Sequence, residues 1–199
     1  MGYKRLYKNL IDIIKEEQAK LGFRRESIRL YYPLSSLNHF FETQDTEEQM
    51  KKYSELKEEY YRQFCKEDKD SFHLVKGAEA YFDVLKKDNI PFTIASASIK
   101  PNIDFFVESF HLDHWLDPSS IVYDDGTYEN KIAMFKKAAD VIGVDIHDCL
   151  IFEDSISGIS SAYQAGCNAI VVVDSANKKD EYEKLPGVIQ VIDSFENLV

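Results

Sequence analysis

The chain has 199 residues, 44% of them hydrophobic and 13% aromatic, enough to bury the core of one large domain or of a domain carrying a smaller inserted one. A formal net charge of −11, with no dense Lys/Arg run beside aromatics, argues against nucleic acid and anionic membrane surfaces as main partners. No apolar run approaches membrane-spanning length, the N-terminal Met1-Gly2-Tyr3-Lys4-Arg5 leads into an amphipathic segment, and Leu6 stands where a myristoylation signal requires Ser or Thr. Three cysteines, Cys65, Cys149 and Cys167, are an odd number without metal-ligand spacing. Cys149 and Cys167 lie in apolar runs and read as small core residues, which fits a reducing cytoplasm.

In chain order, Leu6, Leu10, Ile13, Ile14 and Leu21 recur at helical spacing, and Gly22 supplies a stop. Residues 27–41 are aromatic-rich and broken by Pro33. Thr46-Glu47-Glu48-Gln49 is a capping-box pattern, and behind it Met50, Tyr53, Leu56, Tyr60 and Phe64 form one apolar stripe, read as a packing face. Residues 66–70 read as a solvated turn and residues 78–87 as a further helix. From Pro91 the period changes. Residues 92–95 form a short strand, Ser96-Ala97-Ser98 its following loop, and Pro101 opens a helix with Ile103, Phe106, Val107 and Phe110 inward. Residues 121–123 form a second strand and residues 131–142 a helix stopped by Gly143. Residues 149–152 and 169–173 form two more strands, residues 188–192 an edge strand, and a short helix follows from Ser194.

Strands alternating with helices predict an α/β fold: a Rossmann-like parallel sheet with helices on both faces, preceded by a helical module. The division falls at residues 1–80 and 81–199.

Ligands of such sheets bind beyond the carboxyl ends of the strands. Ser96 and Ser98 stand after the first strand, Lys131 opens the helix after the second, and Glu153 and Asp154 follow the third. A helix then opens on Ser155 and Ser157 and closes at Gly166. Hydroxyls, a cation and two adjacent carboxylates suit a phosphate together with Mg²⁺. Each residue also has a plain reading: Ser96 and Ser98 as loop residues, Lys131 as a solvated lysine, Asp154 as the helix cap.

Taken together, Ile94-Ala95-Ser96-Ala97-Ser98, then Lys131, then Phe152-Glu153-Asp154-Ser155-Ile156-Ser157-Gly158 with Ala165-Gly166 resemble the haloacid dehalogenase (HAD) superfamily, and within it the β-phosphoglucomutase-like phosphatases and mutases. The resemblance spans residues 75–175, and the helical module before it is similar to that family's cap. It implies that Ser96 binds phosphate, assisted by the Ala97 N–H and Ser98. It also implies that Lys131 neutralises the phosphate and that Asp154, with Glu153, holds Mg²⁺. The implied activity is hydrolysis or transfer of phosphate on a small phosphorylated metabolite, a sugar phosphate, with no nucleic acid or membrane as partner.

The sequence departs from that family at one decisive place. The Asp-x-Asp-Gly-Thr motif that supplies its nucleophile precedes no cap here, so the first core strand is expected to be missing. Tyr123-Asp124-Asp125-Gly126-Thr127 imitates the motif with Tyr in the first Asp position, and reads as a turn at Asp125-Gly126. Ile132 stands where the family's lysine block has a proline. Two further readings stay open: a non-catalytic phosphate-binding protein of the same fold, and an α/β domain without phosphate chemistry.

Overall fold

The computed structural model describes residues 47–68, 70 and 72–198. The N-terminal helix read from Leu6 to Gly22, the segment 27–41 and the cap residue Thr46 lie outside them. The chain divides into two compact units, residues 1–73 and 74–199.

In the first unit, helix α1 (Glu47–Glu67) begins directly after the capping-box threonine. It runs through Lys66 and Glu67, which the sequence placed in a turn; the last helical turn carries Lys66, a favourable charge at a helix C-terminus. Tyr60 and Phe64, one turn apart, stack at 6.4 Å between ring centroids. Cys65 is buried, and burial pushes its thiol up.

The second unit opens with α2 (Ala78–Lys87), followed by β1 (Ala95–Ser96), α3 (Lys100–Phe110), β2 (Val122–Tyr123), α4 (Lys131–Ile142), β3 (Ile151–Glu153), α5 (Ile156–Ala165), β4 (Ile170–Val173), the short α6 (Lys179–Tyr182) and β5 (Val188–Ile192). Local chemistry sets the helix ends. The Asn130 side chain accepts the Ala133 N–H at 3.1 Å to cap α4, and Pro101 sits in the first turn of α3. Helix α5 ends at Gly166, whose φ of 115° no L side chain adopts readily.

Among the described residues all strand pairs are parallel, but they form two sheets rather than one. β1 pairs with β2 (Ala95 opposite Val122), and β3, β4 and β5 form the second sheet with β5 at its edge. Helices cover both faces. On one, α4 and α5 bury Ile159, Ala162, Cys167, Ile170 and Val172, and Ala95 of β1 and Ile151 of β3 pack against this same cluster. Each fully buried Ile or Val contributes about 1.5–3 kcal/mol. Successive strand side chains point to opposite faces, so Phe152 turns the other way, onto Tyr81 of α2 at 5.5 Å. The next α2 residue, Phe82, stacks on Phe92 at the approach to β1.

The strands are shifted from their expected places. Phe92 and Ile94 lie before the paired residues, with only the Ile94 carbonyl reaching the ladder, where it accepts the Val122 N–H at 2.9 Å; their side chains pack on a second cluster built on Ile103, Leu116 and Ile121. Ser96, expected in a loop, is the last residue of β1. Cys149, expected in a strand, ends a 3₁₀ turn (Ile146–Asp148) and is half-buried, while Cys167 is fully buried as expected. The closing helix is a single 3₁₀ turn, Glu196–Leu198. Among the described residues no helix is long and apolar enough to cross a membrane.

Candidate active site

Helix α4 links the three strands that carry the candidate residues: it packs on β1 and β2, and its first residue, Lys131, reaches the end of β3. The main-chain N–H of Asp124, just past β2, donates to the Ser98 carbonyl at 3.0 Å, which ties the ends of β1 and β2 together. Lys131, the first residue of α4, forms an ion pair with Glu153, the last residue of β3. Its ammonium also lies 5.5 Å from the Phe135 ring centroid. Helix α4 packs on β1, β2 and α5, so the serine loop and the acid pair flank the same helix.

The two serine hydroxyls are oriented by protein donors. Ser96 Oγ accepts the Ser98 N–H at 3.3 Å, and Ser98 Oγ accepts the side-chain amide of Asn102 at 3.0 Å. A hydroxyl whose lone pair takes a donor keeps its own proton to give, so both serines can donate to an anion. Ala97 lies exposed in the bend between them. Asn102 is 2% exposed and has no counterpart among the sequence candidates. A polar residue in the first turn of a helix ordinarily reads as solvated, whereas here its amide is turned onto the Ser98 hydroxyl.

The adjacent acids differ in availability. Glu153 is buried, with one carboxylate oxygen on Lys131. Its other oxygen accepts the N–H groups of Asp154 (3.0 Å) and Ser155 (3.3 Å) and the Ser155 hydroxyl (3.1 Å). Ser155 is the cap of α5, its Oγ accepting the Gly158 N–H at 3.1 Å, so Asp154 is not the cap. Asp154 is exposed, and its side chain lies against the Glu153 carboxylate. Loss of solvent pushes its carboxyl up from the ordinary value of 3.8, and the Glu153 charge beside it adds to the shift. Its carbonyl accepts the Tyr182 hydroxyl at 3.3 Å.

One lysine against two carboxylates leaves surplus negative charge at Asp154. A hard cation suits that surplus: Mg²⁺ needs one or two carboxylates and fills its remaining positions with water and phosphate oxygens. Among the described residues no three His, Cys, Asp or Glu side chains form a full cage. The surplus has a measurable consequence. A carboxyl raised in the folded state is deprotonated more readily in the unfolded chain, so Asp154 costs stability as pH rises above the ordinary carboxylate value. Asp154→Asn is therefore expected to raise the Tm near neutral pH without metal and to leave it unchanged near pH 3; a pH series of melting curves checks this.

Asp124-Asp125-Gly126-Thr127 is a turn held by its own acids. Asp124 Oδ1 accepts the Gly126 N–H at 3.0 Å, and Asp125 Oδ1 accepts the Thr127 N–H at 2.9 Å and its hydroxyl at 2.5 Å. The Thr127 bonds pull the Asp125 carboxyl below the usual range. These carboxylates are turn-forming groups.

Comparison with known proteins gives the family. The profile of a domain family of unknown function (DUF3877) matches residues 3–80. A bifunctional riboflavin kinase/FMN phosphatase of Arabidopsis thaliana is 28% identical over 141 residues, which are 69% of this chain and 36% of the plant protein. The chain thus spans about a third of that relative's length. The β-phosphoglucomutase (pgmB) of Clostridium difficile superposes with a TM-score of 0.59 at 25% identity, over 83% of this chain and 69% of the other. A HAD hydrolase of family IA, variant 3, from Entamoeba histolytica HM-1:IMSS superposes with a TM-score of 0.76 at 32% identity, over 98% of this chain and 86% of its own. With that identity maintained over nearly its whole length, this chain belongs to the HAD hydrolase family.

Proposed function

We propose that the chain provides the phosphate- and Mg²⁺-binding half of a phosphatase or phosphomutase site for a small phosphorylated metabolite, with a sugar phosphate the preferred substrate class. The observation that carries this reading is the Lys131–Glu153 pair: Lys131 opens α4, the helix that packs on the serine strand β1, and Glu153 ends β3 directly before the exposed acid Asp154. Ser96, Ser98 and the Ala97 N–H bind the phosphate oxygens, and Lys131 offsets their charge. Asp154 is the protein ligand for Mg²⁺, and Glu153 orients the pair; the ion, when bound, withdraws charge from the phosphoryl group. Residues 1–80 are assigned the part of the cap that selects the metabolite. The three thiols, all free, suit the reducing cytoplasm in which such metabolites occur.

A second reading, a phosphate-binding protein without turnover, is favoured by one observation. The 199 residues contain no Asp-x-Asp-Gly-Thr, and the imitating acids are occupied in their own turn.

Both readings require anion binding. Orthophosphate or vanadate is expected to raise the Tm, and Lys131→Ala to shrink that ligand-induced gain by about 1–3 kcal/mol. Titration calorimetry with Mg²⁺ is expected to show a weak site that Asp154→Ala removes. A Tm unmoved by either anion would overturn the phosphate reading.

A further inference from the structure

Gly158 has no backbone reason to be glycine. It lies in the first turn of α5 and is not among the residues with positive φ. Glycine is a poor helix former, so a local reading would favour alanine there. Space forbids it. A Cβ at Gly158 would fall 2.2 Å from the carboxyl carbon of Glu153 and 2.2 Å from each of its oxygens, far inside contact distance. Nor is Glu153 the loose end of a flexible side chain. Its oxygens are fixed by Lys131 on one side and by two N–H groups and the Ser155 hydroxyl on the other, and only 7% of the side chain is exposed.

We propose that Gly158 is a positioning residue for the acid pair: the missing side chain is the seat in which the Glu153 carboxylate lies, and this seating holds Lys131 at the end of β3 beside Asp154. The functional half of this inference rests on the phosphate reading above; the packing half does not. Filling the seat displaces the Glu153 carboxylate toward the strand ends. It then separates from Lys131, gives up the Asp154 and Ser155 N–H groups, and intrudes where an anion would bind.

The test is a set of double-mutant cycles on the full chain, read by urea unfolding and by orthophosphate-induced stabilisation. Gly158→Ala alone is expected to lower the folding equilibrium constant roughly tenfold or more. Glu153→Gln, which keeps the size and removes the charge, leaves that penalty in place. Glu153→Ala removes the clash, and in that background Gly158→Ala is expected to reverse sign and stabilise, as alanine does in an unobstructed helix. Should Glu153→Ala fail to fold, Glu153→Asp, shorter by one methylene, serves the same comparison. An equal penalty in every background would overturn the seating.

For the functional half, Gly158→Ala is expected to weaken orthophosphate roughly tenfold, and adding Glu153→Asp to restore most of that loss. The surface control Ser160→Ala changes neither reading. Wild-type anion affinity in Gly158→Ala would overturn the positioning role. An absent orthophosphate response in the unmutated chain would instead overturn the phosphate reading, while the sign reversal still decides the seating.

Discussion

Joining a strand that ends in Asp-x-Asp-Gly-Thr ahead of residue 1 is expected to switch on Mg²⁺-dependent hydrolysis of p-nitrophenyl phosphate, by roughly 10³-fold or more over the 199-residue chain. Residues 1–199, alone, are expected to release phosphate no faster than their Asp154→Ala variant. A phosphoaspartate route needs a carboxylate in line with the scissile bond, opposite the leaving oxygen. Glu153 is bound to Lys131 and to the Asp154 and Ser155 N–H groups, Asp154 is the acid proposed for the cation, and Asp124 and Asp125 hold their own turn. None is free to attack. Phosphate release with and without Mg²⁺, on both forms, decides the matter. Robust turnover by the shorter chain would place the nucleophile elsewhere, with Asp124→Asn and Asp125→Asn the variants to make next.

Lys131→Met is expected to be the most destabilising single change at the site, by about 3 kcal/mol, because it leaves the buried Glu153 carboxylate without its cation. Lys131 keeps some solvent contact, which holds the expected value at the lower end for a broken buried pair. Adding Glu153→Gln to Lys131→Met is expected to recover most of the loss, since the residual Gln still meets the Asp154 and Ser155 donors without carrying charge. Urea denaturation of the two singles and the double measures the coupling. A loss no smaller in the double than in Lys131→Met would show that the lysine acts by packing on Phe135 rather than by charge.

Much of the second unit was legible where local chemistry sets an end. Helix α4 was bounded by Lys131 and Gly143, and β5 and α2 occupy the expected residues. The short strands were not legible at their ends. Residues 92–95 carry a strand composition, yet β status depends on a partner, and it is Ala95 and Ser96 that find Val122 and Tyr123. The apolar side chains of Phe92 and Ile94 were drawn instead to Ile103 and Ile121. The grouping of Lys131 with Glu153 followed from the rule of strand ends. Their direct pairing did not, because twenty-two residues separate them and no pattern in either segment names the other. Asn102 and Gly158 were missed for a related reason: one is polar where it is buried, the other has no side chain to read. Both owe their importance to a neighbour's functional group. The stripe Met50, Tyr53 and Leu56, whose side chains lie outside the described residues, belongs to a helix that the sequence did place.

The second unit begins and ends at one place. The Phe195 N–H donates to the Lys76 carbonyl at 2.8 Å, Lys76 pairs with Glu196 at 2.9 Å, and the backbone of Glu196 runs so close to Gly77 that an added Cβ would meet its nitrogen at 2.7 Å. The Phe195 ring joins Tyr81 and Phe152 beneath this crossing. A polypeptide whose entrance and exit are laced side by side is a closed circuit. Its two ends can be bridged by a few residues and reopened at another surface loop, such as the one at Asp125-Gly126, so the order of the elements along the gene can change while their packing stays the same.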